Sequence, residues 1–340
     1  MAEKSDKPKY VVLGGGTGSF PVLNGLKSHP VNLTALVGMA DDGGSTGTLR
    51  DELGVLPPGD VRQCLVALSS APEQLRKLFS YRFEDGAMAG HSFGNIFLSA
   101  AEKATGSFGE AVRVSGELLR IKGRVLPITF DDVHLRMELS DHTILKGQRK
   151  IDDSKFCNET PHPKLFLGPK GKIASEADEA LRGADVIIIA PGDIYTSLGP
   201  LLIVDGVAEA LAATRATVIY VCNLVVKAGH TTGKTVADHA AEIERLAGGK
   251  ALIDYVLYNT ASAPAALVER YKQAGELMVI ADAPQLARAH YRSVGRSLIS
   301  SDIPEFQAGD MLAAAGRRSF IRHNAQAVAD ALLEIAKIAR

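Results

Sequence analysis

The chain has no tryptophan, three cysteines and few aromatic residues, 11 Phe and 8 Tyr among 340. Cys64, Cys157 and Cys222 are far apart and form no C-x-x-C pair, which excludes a disulfide framework and reads as reduced thiols. Cys64 and Cys222 lie in apolar stretches and are expected as small core residues rather than nucleophiles. Neither sign of charge is in excess. The 38 Lys+Arg against 39 Asp+Glu leave a net charge of -1, which excludes the clustered basic surface that nucleic acid requires and an acidic disordered tail. No apolar run reaches the length of a membrane span, since the strongest, residues 216–226, stops at Lys227. The polar first ten residues lack the apolar core of a signal peptide. These absences predict a soluble, cytoplasmic protein with no nucleic-acid partner and no membrane span.

Hydrophobic residues (46%) and 33 glycines are present in quantity, so the chain has the means to build a substantial core. Residues 10–13 read as a short apolar strand that runs into a glycine loop and then a helix through Leu23. Residues 31–39, 185–191, 217–222 and 253–258 read as further strands, with amphipathic helices between them. That alternation predicts an α/β, Rossmann-like fold, a mostly parallel sheet with helices on both faces. Residues 56–119 read as helices broken at Pro72 and around residues 86–91. Val133, Leu135, Met137 and Leu139 alternate with polar residues, so about 125–172 reads as a small β-rich insertion. Ser175 is expected to cap a helix, and residues 324–336 form an amphipathic one. The expected organisation is a flexible tail over residues 1–9 and one domain over 10–340.

Seven of the glycines fall in two loops at adjacent strand ends. Gly14, Gly15, Gly16, Thr17 and Gly18 let backbone N–H groups approach a phosphate, and the following helix adds its positive end. The frame is an incomplete dinucleotide fingerprint, because G-x-G-x-x-G from Gly14 ends on Ser19, and no G-K-S/T makes it a P-loop. A tight turn without ligand would read the same. The second loop, ADDGGSTG at residues 40–47, places Asp41 and Asp42 where an acid often meets a ribose, with Ser45 and Thr46 beside them. The two acids would equally hold Mg²⁺ against phosphate oxygens; ordinary turn chemistry is the plain alternative.

Three further segments add candidates. In PPGDVR (57–62), Asp60 reads as a helix N-cap and Arg62 as a phosphate ligand. In HSFGN (91–95), His91, Ser92, Gly94 and Asn95 offer donors and acceptors for a ring or a second ligand. In PGDIYTS (191–197), Pro191, Gly192, Tyr195, Thr196 and Ser197 follow the most apolar strand, with the hydroxyls expected to face the cleft. Asn223 ends the next strand on the same rim. Asp141, His142, Asp238 and His239 match no metal-site spacing and read as surface or structural. Lys146, Arg149 and Lys150 read as a solvated hairpin face.

Taken in order, residues 14–18, 41–47, 57–60, 91–95, GRVLP at 123–127, 191–197 and ADH at 237–239 resemble the gluconeogenesis factor family, the YvcK-type proteins. Its relatives are the 2-phospho-L-lactate transferases, the CofD-like enzymes. The resemblance covers residues 10–340. It implies a Rossmann-like core, a bound UDP-sugar, and a regulatory role joining carbon metabolism to cell-wall precursor supply and cell shape, exerted through protein targets. It also implies the alternative of a Mg²⁺-dependent transferase moving a phospholactyl group from a guanylylated donor to a deazaflavin. There the region of Asp41 and Asp42 serves metal and phosphates, and the histidine block the flavin-like acceptor. By resemblance, Tyr271 and Arg322 match positions associated with the sugar nucleotide. Two departures stand out: Asp193 where the family usually has serine, and Lys227 near its usual glutamine. Outward apolar helices in such folds support a homodimer. NAD is the weaker ligand, as no Tyr-x-x-x-Lys pair accompanies the loop.

Overall fold

Short strands of Val, Ile and Leu that are apolar at every position have to be covered on both faces. In the computed structural model, which describes residues 7–301 and 320–339, that requirement is met by a seven-stranded parallel sheet with helices packed against it. The strands in chain order are β1 (Lys9–Gly14), β2 (Asn32–Val37), β3 (Arg124–Pro127), β4 (Leu135–Glu138), β5 (Ile144–Lys146), β6 (Lys164–Leu167), β7 (Val186–Ile189), β8 (Thr217–Val221), β9 (Tyr255–Asn259) and β10 (Arg292–Arg296). The main sheet runs β10-β9-β8-β7-β1-β2-β3. Every residue of β7 is buried, and all of β1 except Lys9.

The chain leaves β1 toward β2 and β3, then returns on the other side at β7. The point between β1 and β7 is therefore the topological switch, and the crevice outside their carboxyl ends is where such sheets take ligands. Residues 14–18 follow β1 and residues 191–197 follow β7, so both lie at this switch.

Three sequence expectations need correction. Residues 124–127 belong to the main sheet, where β3 pairs in parallel with β2. Pro127, with no N–H to donate, is tolerated because β3 is an edge strand. The β-rich insertion accordingly begins after Pro127 and is an antiparallel sheet, β5-β4-β6. Strand β10 was not foreseen, because RSVGR is polar; it joins through backbone pairing with β9. The helix at Ser175–Arg182 is capped by Ala174, with Ser175 as its first residue. At the N-terminus, residues 1–6 of the expected tail lie outside the described residues. The carbonyls of Lys7 and Pro8 accept from Asn32, and β1 opens at Lys9. The last helix, Ala325–Ile338, is capped by the Asn324 side chain and packs on the helix that follows β1. Among the described residues no helix is long and apolar enough to cross a membrane.

Candidate functional site at the carboxyl edge of the sheet

Bare backbone makes the centre of the site. Gly15 is the N-cap of α1 (Gly16–Leu26) and has no side chain of its own to cap the first turn. A Cβ on Gly18 would lie 1.7 Å from the Pro191 carbonyl oxygen, so only glycine lets this turn rest directly on the turn after β7. The next helix, α2 (Gly44–Leu53), starts after β2 with Gly43 as its N-cap. A Cβ on Gly47 would meet the Asp42 carbonyl oxygen at 2.2 Å. Two helix N-termini, each worth about half a positive charge, thus open on the crevice with glycine at the N-cap.

A third helix, α3 (Gly59–Leu68), adds a carboxylate. Asp60 is in its first turn rather than its N-cap, which is Pro58. It accepts from the Gly16 amide, and its Oδ2 is 2.7 Å from where a Gly15 Cβ would be. Asp41 Oδ1 accepts the Gly43 N–H at 2.9 Å, and its carboxyl also takes the Thr46 hydroxyl. Burial, and then the charge of Asp60, push Asp41 up from 3.8 to about 7. Burial also raises Asp60. At neutral pH these two groups share a proton or call for a cation. Asp42, expected as the partner of Asp41, contributes least to that shift. Its Oδ2 instead accepts the Gln148 N–H at 3.1 Å, fastening this loop to the short helix Gln148–Asp152 of the insertion. Its Oδ1 is buried without a hydrogen-bond partner. Thr17 donates to Gln63 (3.1 Å), and Ser197 Cβ is 3.6 Å from the Gly15 Cβ position. Residues 14–18, Asp41, Thr46 and Ser197 are therefore brought together, along with Asp60 and Gln63. A further residue the sequence did not single out is Arg50. It is buried, donates to the Asp41 and Val133 carbonyls at 3.0 Å each, and pairs with Asp132.

The histidine block joins the second loop from the side. His91 Nδ1 is 3.0 Å from Ser45 Oγ, Asn95 Nδ2 donates to the same oxygen at 3.2 Å, and Arg62 Nε donates to Asn95 Oδ1 at 2.9 Å. Ser92 is buried as the N-cap of α4 (Phe93–Thr105). Gly94 makes room for Arg62, whose Cδ is 2.7 Å from the Gly94 Cβ position. Arg62 itself is 8% exposed and reaches Asn95 and, at 3.5 Å, the Phe79 carbonyl. It holds the Asn95 amide that reaches Ser45.

The turn after β7 is a five-residue π-helix, Ile194–Leu198. It rotates Tyr195 into the core, 1% exposed, edge-on to Phe156 and hydrogen-bonded to Glu242. Its hydroxyl does not face the cleft as expected, and Thr196 is buried too. Asp193 Oδ1 accepts the Tyr195 and Thr196 N–H groups, both at 2.9 Å, so the donors of this turn are already filled. Its Oδ2 meets the Lys227 ammonium at 2.9 Å. Against burial, which would raise it, His230 and Lys227 hold Asp193 well below the usual carboxylate range. The two departures noted in the sequence therefore neutralise each other. Asn223 spends both amide groups on Gly192, accepting its N–H and donating to its carbonyl at 2.8 Å each. It fixes the turn. The Tyr271 hydroxyl accepts from Phe320 and Ile321 N–H (2.6 and 3.3 Å) in a small apolar cluster with Leu224; Arg322 is half-buried, and its carbonyl accepts from Ser300 N–H.

Comparison with known proteins gives a consistent result. The family model described as 2-phospho-L-lactate transferase CofD matches residues 10–302. A putative gluconeogenesis factor of Nostoc sp. (strain PCC 7120) is 41% identical over 331 residues, covering 96% of this chain and 68% of that protein. One from Thermoanaerobacterium thermosulfurigenes is 39% identical over 327 residues, 96% of both chains. The crystal structure of a UPF0052 family protein from Bacillus halodurans superposes with a TM-score of 0.85 at 35% identity, covering 96% of this chain and 99% of that one.

Proposed function

Because this chain belongs to the gluconeogenesis factor family, within the wider group matched by the CofD model, we propose that it is a nucleotide-sugar-binding regulator. In this reading it acts in the cytoplasm, with a UDP-sugar as ligand, and reports carbon supply to protein targets of cell-wall precursor synthesis and cell shape. The observation that carries it is the pair of glycine-capped helix N-termini along this edge, α1 after β1 at the β1/β7 switch and α2 after the neighbouring β2. The N–H groups of residues 16–18 would receive the diphosphate, Thr46 and Ser197 would flank it, and His91 with Ser45 would border the far side. Most other polar groups of the region are committed to one another, which suits a binding cleft better than a proton-transfer machine. Calorimetry with UDP-N-acetylglucosamine, UDP-glucose and NAD tests the proposal. Binding of a UDP-sugar in preference to NAD is expected; no binding of any of the three at millimolar concentration overturns it.

One observation favours a second reading. Asp41 and Asp60 form a half-buried acidic pair facing the glycine loop, and the Asp42 Oδ1 lacks a partner. Such a hard-oxygen set fits Mg²⁺, which would neutralise phosphate oxygens and a leaving group. This chain's own part would be to hold the donor by residues 16–18 and place an acceptor ring against His91. Incubation of guanylylated phospholactate with a deazaflavin and Mg²⁺ decides. Product that disappears in Asp60→Ala would establish transfer, and its absence with intact UDP-sugar binding leaves the regulator.

A further inference from the structure

Beneath the loop that follows β8 is a cluster that neither reading uses. Asp152 ends the short helix Gln148–Asp152 of the insertion, Asp193 opens the π-helical turn, and His230 comes from the loop itself. One ligand-capable atom of each lies within 4.8 Å of the others. His230 is 0% exposed, and neither ring nitrogen has a hydrogen-bond partner, so its polar atoms carry their desolvation cost uncompensated. Nδ1 is 3.7 Å from Asp193 Oδ2. That is too long for a hydrogen bond and near the ~3.4 Å separating two ligands of a tetrahedral ion with bonds of ~2.1 Å. Two backbone N–H groups hold Asp193 Oδ1, which fixes where Oδ2 points, as outer partners do around metal ligands.

The present counter-charge is Lys227, ion-paired with both Asp152 and Asp193. The lysine accounts for the two carboxylates but not for His230, and Asp193 Oδ2 still lacks a well-directed hydrogen bond. Lys227 is one-third exposed, so its flexible stem has a way out to solvent.

We propose that Asp152, Asp193 and His230 form a site for a divalent first-row transition ion such as Zn²⁺, and that the ion displaces the Lys227 ammonium. One imidazole with two carboxylates favours such an ion over Mg²⁺ or Ca²⁺. The bound ion ties together the insertion, the turn after β7 and the loop after β8, three segments that border one end of the cleft. It stands whether or not the nucleotide reading holds.

The test is calorimetric titration of the chelator-stripped full chain with Zn²⁺ alone, Mg²⁺ as control, followed by the visible spectrum of the Co²⁺ form. One Zn²⁺ per chain is expected. Lys227→Met should bind at least about tenfold tighter, because the competing ammonium is gone, and His230→Gln at least about tenfold weaker, with loss of the Co²⁺ bands. Circular dichroism checks folding; both variants remove a side chain of similar length without opening the sheet. No stoichiometric binding to wild type and Lys227→Met at about 100 μM Zn²⁺ overturns the proposal. So does binding that His230→Gln leaves unchanged, or equal binding of Mg²⁺.

Discussion

Replacing Asp60 by asparagine keeps an oxygen for the Gly16 amide and removes one charge from the acidic pair. In the folded chain Asp41 keeps its proton up to about pH 7, against an ordinary value of 3.8. Folding therefore takes up a proton between those values, and stability falls as pH rises through that window. The penalty is absent below pH 3.8 and complete above about 7. At ~1.4 kcal/mol per tenfold this amounts to about 4 kcal/mol. Burial is the larger cause and Asp60 the next, so Asp60→Asn should return roughly 1–2 kcal/mol at alkaline pH and less in acid. For a chain of this size that is a rise in Tm of about 1.5–3 °C. Thermal melts of wild type and variant at pH about 5 and about 8 read the difference directly. A variant that loses stability equally at both values, or that retains the wild-type pH trend, would refute the reasoning.

Gly18→Ala drives a methyl into the Pro191 carbonyl and should cost about 1–3 kcal/mol, seen as a lower Tm. Arg62→Met leaves Asn95 Oδ1 without its buried donor; a loss of about 1–3 kcal/mol in urea denaturation is expected, with nucleotide affinity changed far less than a phosphate ligand would require. Asp193 is held below its ordinary 3.8, so its contribution is present above that value and is lost as pH falls. Asp193→Asn should therefore lower Tm clearly at neutral pH and progressively less in acid, as melts across that range will show.

How much was legible depended on what each residue touches. The strand VIII of β7 announces itself because both of its faces are buried, and the glycine loops because nothing but glycine fits where Gly18 meets Pro191. Strand β10 hides because an edge strand is held by backbone bonds to β9 that leave no mark on side chains. In the PPGDVR segment both Asp60 and Arg62 stood in a first helical turn. Residues two apart on a helix point about 200° away from each other, so only one faces the glycine loop, and burial decided for the acid. Tyr195 was misplaced because a π-turn rotates it inward, and Asp42 because its partner is the backbone of Gln148, distant in sequence.

The same geometry constrains what binds. A phosphate at residues 16–18 would meet Asp60, which already accepts from Gly16. Two unit charges 4 Å apart repel by about 4 kcal/mol at an effective dielectric of 20. A helix N-terminus returns about 0.3–1 kcal/mol, and ~2 at best. Backbone dipoles alone therefore lose to the carboxylates at neutral pH. An anion that binds here has to arrive with a cation, or with a proton on the Asp41–Asp60 pair, so affinity must strengthen with Mg²⁺ or with acid. A nearly neutral chain binds a phosphate at this crevice only by importing the positive charge it does not carry there.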